Sequence, residues 1–359
     1  MREVAVVGDA QSVCAAANRR DDMAGILLPV IRAALAGLGL ERGRIDFVCS
    51  GSHDFHEGRT FAYIESLDAV GAWPPISESH VEMDAAWAFH EAWTWLQLGH
   101  GDIALVYGIG RGSLPADLDE VVPTQLDPYY LTPLRPHRDA IAGIQADALI
   151  RAGVTTEREM ARIVARSLAA ARSNPYAQVS GAVAADTLLA APYVASPLRA
   201  HDISPIGDAA AVVVLAAGDA ARDLTDRPAW VRGIDHRMDT HYPGSRDLTR
   251  APSARLAAEK AAATAGFAAA AVDVAELHVE YSAQEPLLVR EFGLTGTTVV
   301  NPSGGPLAGR PATATGLLRI AEAAAAIRTG RAGRALAHAT NGQALQQNLV
   351  CLLEGDRRG

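Results

Sequence analysis

Asn301-Pro-Ser-Gly-Gly-Pro-Leu-Ala-Gly-Arg-Pro-Ala-Thr-Ala-Thr-Gly316 is the stretch that decides the reading of this chain. It holds four glycines and three prolines, so it is a turn rather than an element. It follows a β-rich run at 297–301 and opens an Ala/Leu-rich helical run at 316–329, which makes it a strand–turn–helix joint. Outward from this joint the same alternation continues. Strands are expected at 4–8, 47–50, 103–108, 211–216, 230–233, 274–281, 334–339 and 348–354. Long helices are expected at 23–38, 83–98, 157–173 and 253–265. The fold class is α/β, a mostly parallel sheet covered by helices. A faint internal repeat supports this reading. One helix ends at Leu98-Gly-His-Gly-Asp102 and runs into Ile103-Ala-Leu-Val-Tyr-Gly108, and another ends at Arg328-Thr-Gly-Arg-Ala332 and runs into Arg334-Ala-Leu-Ala-His-Ala339. Residues 115–198, rich in Pro, Tyr and helix formers, do not fit the repeat and read as an inserted cap of the kind that lines a substrate site.

Composition narrows the function. The 359 residues carry 41 acidic and 32 basic side chains, a net charge of −9, with no dense Lys/Arg stripe or Cys-x-x-Cys pair. Nucleic acid and a zinc site are therefore not expected. No apolar run reaches the roughly 18 residues of a membrane span, and the N-terminus lacks a signal-peptide layout, so a soluble, cytoplasmic protein is expected. Cys14, Cys49 and Cys351 lie in or beside apolar runs and read as buried free thiols. Lys260 is the only lysine, and its amphipathic surroundings make it a solvated helical residue rather than a Schiff-base nucleophile. His53, Asp54, His56 and Glu57 have metal-ligand chemistry, but a polar loop after a strand reads as solvated, and no metal is expected. Trp87, Phe89, Trp93 and Trp95 read as packing on one helix, and Asp127-Pro-Tyr-Tyr130 as a turn.

The 301–316 segment resembles the thiolase superfamily signature, in which a glycine-rich turn carries a Gly-His-Pro triplet. Asp273-Val-Ala-Glu-Leu-His-Val-Glu-Tyr281 resembles the His-Asp-x-Phe motif of the thiolase-like domain of sterol carrier protein X and of the nonspecific lipid-transfer thiolases. Ser173-Asn-Pro-Tyr-Ala-Gln178 and His201-Asp-Ile-Ser-Pro-Ile-Gly-Asp-Ala-Ala-Ala211 resemble the same group. The resemblance covers nearly the whole chain. It implies two similar βαβαβαββ halves, at 1–228 and 229–359, in a five-layered αβαβα architecture. It also implies an acyl-CoA substrate with coenzyme A as part of it, no covalently bound cofactor, a homodimer, and a small zinc-ribbon/OB-fold partner completing a heterotetramer.

The departures from the motifs redirect the chemistry. A thiolase works through a cysteine at a helix start, where the helix dipole lowers the thiol pKa. Here that position falls on Asp84, which also reads as an N-terminal helix cap. The Gly-His-Pro histidine becomes Arg310, an electrostatic group that either meets a carboxylate or phosphate oxygen or pairs with a local acid, and the cysteine of the terminal Cys-x-Gly motif is placed at His338. The remaining polar groups are His278, Glu280, Tyr281, His338 and Asn341, which the resemblance brings to one cavity. Ser282 and Glu285 read as a capping box that would hold Tyr281 at a strand-to-helix turn. Catalytic roles are thus expected for Tyr281, His278, His338 and Asp84, and substrate contacts for Arg310 and Asn341.

Thiolase relatives without the cysteine include lyases that cleave β-hydroxyacyl-CoA thioesters of sterol side chains by retro-aldol chemistry. That reaction needs a base for the hydroxyl proton and donors for the enolate oxygen, and no acyl-enzyme. Tyr281 or His338 is the expected base, and His278 with backbone N–H groups near Thr340 the expected oxyanion site. A non-catalytic acyl-CoA- or lipid-binding subunit and an acyltransferase without cysteine are the alternatives.

Overall fold

The computed structural model describes residues 2–58, 60–71, 75–114 and 118–356. The expected start of the insertion, 115–117, lies outside them. Ten strands form one mixed sheet, not the mostly parallel one expected, because the strands of its middle pair antiparallel. In chain order they are β1 (Val4–Gln11), β2 (Phe47–Gly51), β3 (Glu78–Val81), β4 (Ile103–Arg111), β5 (Asp208–Ala217), β6 (Ala229–Met238), β7 (Val274–Leu277), β8 (Val299–Val300), β9 (Arg334–Asn341) and β10 (Gln347–Glu354). Their spatial order is β8-β7-β9-β10-β6-β1-β5-β4-β2-β3. From either edge inward the connectivity is the same. The first three strands are parallel, the fourth and fifth alternate in direction, and the two innermost strands, β1 and β6, pair antiparallel with Ala5 opposite Trp230. The faint repeat in sequence is a duplicated topology in space.

The principal helices are α1 (Met23–Gly37), α2 (Ala85–Gln97), α3 (Ala140–Arg151), α4 (Glu157–Ala170), α5 (Pro252–Ala265), α6 (Gln284–Glu291) and α7 (Thr315–Arg328). Three cores order them into layers. α2 and α7 lie between the inner faces of both halves of the sheet, α1 covers the outer face of the N-terminal half, and α5 and α6 cover the outer face of the C-terminal half. The stack is the five-layered αβαβα arrangement. Strand side chains alternate accordingly, with Ala104 and Val106 facing the central helices and Leu105 and Tyr107 facing α1. A helix pressed between two faces of the sheet must be slim where it meets them, which explains Ala85, Ala86, Ala88 and Ala92 on α2 and Ala321, Ala323, Ala324 and Ala326 on α7, all buried.

The joint at 301–316 is held by its own side chains. Asn301 adopts φ 48° and its Oδ1 accepts the Leu277 N–H at 2.6 Å, which ties the turn to the end of β7. Below it, the buried Glu276 carboxylate pairs with Arg319 of α7 and accepts from Ser303 N–H at 3.1 Å and Ser303 Oγ at 2.8 Å. At the start of α2 two strands come too close for a side chain. A Cβ on Gly51 would lie 2.5 Å from Ala85 Cα, and one on Gly108 would lie 2.5 Å from Ala85 Cβ. Trp95 stacks on Phe47 at 4.7 Å, Lys260 is exposed and the three cysteines are free and buried.

Several elements differ from the sequence reading. β7 ends at Leu277 instead of running to 281, because Tyr281 bridges to Ile203 and Ser204 N–H bonds the Glu280 carbonyl. Edge strand β3 is short and half-exposed and carries little alternation to read. α3 is not among the expected helices, whereas α6 follows Tyr281 where a strand-to-helix turn is expected. The capping box at Ser282 does not form: the Ser282 hydroxyl donates to Asp202 at 2.6 Å, and Arg166 of α4 holds both oxygens of Glu285, at 2.6 and 2.5 Å. Among the described residues no helix is long and apolar enough to cross a membrane.

Candidate active site

A cavity of about 440 Å³ opens where the ends of β7 and β9 meet the turn before α7 and the segment that leads into α3. A small inner chamber of about 20 Å³ leads from it toward the start of α2. His56, Glu280, Arg310, Ala312 and Asn341 form the wall common to both. Tyr281 and Asp139 line the outer space, and His278, Asp84 and Thr340 the inner one.

His278 is almost fully buried. Its Nδ1 accepts the Thr340 backbone N–H at 3.3 Å, which places the ring proton on Nε2. That Nε2 is buried, has no hydrogen-bond partner and stands 3.8 Å from Glu280 Oε1. Burial, reinforced by His338, Arg310 and Arg319, holds His278 well below the usual imidazole range, so the ring is a neutral donor. Asn341 adds a second donor. Its Oδ1 accepts from His53 Nε2 at 3.3 Å, which leaves the amide NH2 to the chamber walls it lines.

Glu280 Oε1 accepts from Arg310 NH1 at 2.9 Å. Arg310 is in turn fixed by its backbone, whose N–H bonds the Pro205 carbonyl at 2.9 Å while its carbonyl accepts from Gly207. Of the two arrangements expected for this guanidinium, pairing with a local acid is the one present. The Tyr281 hydroxyl donates to Asp139 Oδ1 at 2.8 Å. Burial, with Glu280 and Asp139 beside it, pushes Tyr281 well above its ordinary range, so it does not act as a free phenolate near neutral pH.

Asp84 sits where the reading placed it, as the N-cap of α2. One carboxylate oxygen accepts Ala86 N–H at 2.8 Å and the other accepts Gly316 N–H at 2.7 Å, so this single side chain caps the starts of both central helices. Burial raises its carboxyl to about 7 against the downward pull of the Ala86, Gly316 and Leu317 N–H groups. His338, expected in the cavity, points elsewhere. Its Nε2 contacts Asn348 Oδ1 at 2.9 Å and its ring meets Phe292 edge-on at 5.4 Å, in the layer of α5 and α6. Strand alternation explains the displacement, since Ala337 and Ala339 face the central helices and His338 between them faces away. The Cys-x-Gly spacing falls instead on Thr340-Asn341-Gly342, and Gly342 with φ 77° makes the turn. Counting back two residues from that glycine would have found it.

The sequence also undervalued two groups. His53 and His56 line the inner chamber, with His56 pushed down to about 3 by burial and kept neutral. Asp139, at the start of α3, carries no motif at all. Among the described residues no group of His, Cys, Asp and Glu is arranged to hold a metal ion. No cysteine lines either space: burial raises Cys14 to about 12 and pushes Cys49 and Cys351 up as well.

No protein-family model matches the sequence. An acetyl-CoA acetyltransferase of Methanothermobacter thermautotrophicus is 28% identical, over 93% of this chain and 93% of its own length. Chicken sterol carrier protein 2 is 28% identical over 70% of this chain and 52% of its own length. Among solved structures, an Ltp2-ChsH2(DUF35) aldolase superposes with a TM-score of 0.81 at 19% identity, covering 99% of this chain and 98% of that one. The thiolase resemblance read from the motifs is thus borne out in relatives and in fold.

Proposed function

We propose that this chain, a thiolase-like protein with no cysteine in its cavity, is a carbon–carbon lyase that cleaves a β-hydroxyacyl-CoA by a retro-aldol step. The observation that carries the reading is the His278 Nε2–H, buried, neutral and without a hydrogen-bond partner, 3.8 Å from the Glu280 carboxylate. An unpaired buried donor is costly unless a ligand completes it, and an enolate oxygen is such a ligand. Asn341 is placed to supply the second donor. Tyr281 and Glu280 stand where the substrate hydroxyl would lose its proton, while the Arg310 guanidinium balances the Glu280 charge. Acyl transfer through a thioester has no nucleophile in this cavity. The aldolase whose fold this chain shares supports the lyase reading, and the DUF35 protein joined to it supports the expectation of a partner subunit.

Asp84 supports a second reading. At the expected nucleophile position it is occupied in capping two helices, as it would be in a shell that only binds acyl-CoA. One experiment separates the two. The purified protein, alone and with a co-encoded OB-fold protein, is incubated with β-hydroxyacyl-CoA thioesters, including branched steroid side-chain thioesters, and products are followed by mass spectrometry. The lyase releases a shortened acyl-CoA and a ketone or aldehyde in equal amounts. Saturable binding without product establishes the binding subunit.

A further inference from the structure

We propose that Asp139 is the proton acceptor behind Tyr281, so that the pair relays the substrate's hydroxyl proton during carbon–carbon cleavage. The proposal rests on the lyase reading. Asp139 occupies the N-cap position of α3, where an aspartate ordinarily accepts a backbone N–H of the first turn. It makes no such bond. Its Oδ1 takes the Tyr281 hydroxyl at 2.8 Å instead, and its Oδ2 is buried without a hydrogen-bond partner. A helix cap has been given up, about 1 kcal/mol in ordinary helices, to hold one tyrosine at the edge of the cavity. His137 Nδ1 and Arg138 Nε each stand 3.5 Å from Oδ2, and Glu280 and Arg310 are the charged groups facing Tyr281 from the other side.

The step balances without an added reagent. The Tyr281 oxygen accepts the proton of the substrate's β-hydroxyl as its own proton passes to Asp139. The former O–H electron pair becomes the carbonyl π bond of the leaving ketone or aldehyde. The Cα–Cβ bond breaks, and its pair becomes the thioester enolate, whose oxygen is held by the His278 Nε2–H. The proton on Asp139 then returns through Tyr281 to the enolate carbon, giving the shortened acyl-CoA. The relay never requires a free phenolate, which the burial of Tyr281 disfavours.

The test is steady-state cleavage of a branched 3-hydroxyacyl-CoA by the full-length protein, with its partner if one is required, in Asp139→Asn, Asp139→Gly and Tyr281→Phe variants. Asparagine still accepts the Tyr281 hydrogen bond but cannot take its proton. Asp139→Asn is expected to lower kcat by about 10²- to 10⁴-fold while KM stays within about threefold. Added acetate or formate is expected to restore turnover in Asp139→Gly and not in Tyr281→Phe. Wild-type kcat in Asp139→Asn, or a loss in Asp139→Gly that neither anion recovers, overturns the relay and leaves the lyase intact. Acyl-CoA binding by the wild type with no cleavage overturns both.

Discussion

His278 and Tyr281 are three residues apart in sequence and do different work because their surroundings differ. The Thr340 N–H fixes the His278 tautomer and leaves one ring N–H without a protein acceptor. Loss of such a donor costs about 10²- to 10³-fold in turnover where it stabilises an oxyanion. His278→Ala is therefore expected to lower kcat by that order with little change in KM, measured on whichever thioester the wild type cleaves. His338, buried in the outer layer, contributes to stability instead. Burial lowers its pKa to about 4 from an unfolded value near 6.5. A depressed histidine leaves stability whole above the unfolded pKa. As pH falls through the window from 6.5 to 4 the unfolded chain gains a proton that the folded chain refuses. The loss by pH 5 is on the order of 2 kcal/mol for this one side chain. His338→Gln should reduce the drop in unfolding free energy between pH 7 and 5 by about that amount in urea titrations; an unchanged drop would refute the assignment.

At the scale of elements, α2 and α7 are joined at their starts by Asp84. Its two oxygens satisfy backbone donors of both helices at a buried position. Asp84→Ala leaves those donors unpaired, at about 1–3 kcal/mol each. Asp84→Asn keeps one acceptor and should lose roughly half as much, by thermal or urea melts. Equal stability of Asp84→Ala and wild type would show that the cap is dispensable. The Glu276–Arg319 pair does the same for the glycine-rich turn. Arg319→Met strands a buried carboxylate, an effect of about 3–5 kcal/mol, and replacing both residues with apolar ones should recover much of it. A recovery near zero would place the energy in the turn's own hydrogen bonds.

At the scale of the molecule, the two halves share the central core around α2 and α7, and the β1–β6 pairing makes their strands one sheet. Neither half can bury its central helix alone. Calorimetry is expected to give one transition with calorimetric and van't Hoff enthalpies in agreement, and residues 1–228 expressed alone should not melt cooperatively. Two separated transitions would mean that the halves fold independently.

Much of this was legible in the residues. The joint at 301–316, the β-rich runs and the Ala-rich helices are local patterns, and chain chemistry alone requires a strand, a left-handed turn residue and a buried helix there. The absent cysteine and the cap at Asp84 were equally local. The sequence also named His278, Glu280, Tyr281, Arg310 and Asn341, which the structure gathers on one cavity. It could not say which way His338 points, because one residue of register reverses the face. It could not show that Arg310 is paired, that β7 stops short, or that Asp139 stands behind Tyr281, 142 positions away along the chain. Those outcomes depend on contacts between distant segments, which only the packed layers bring together. Local chemistry determined the elements and most of the cavity's polar groups; tertiary packing decided which of them meet and in what protonation state.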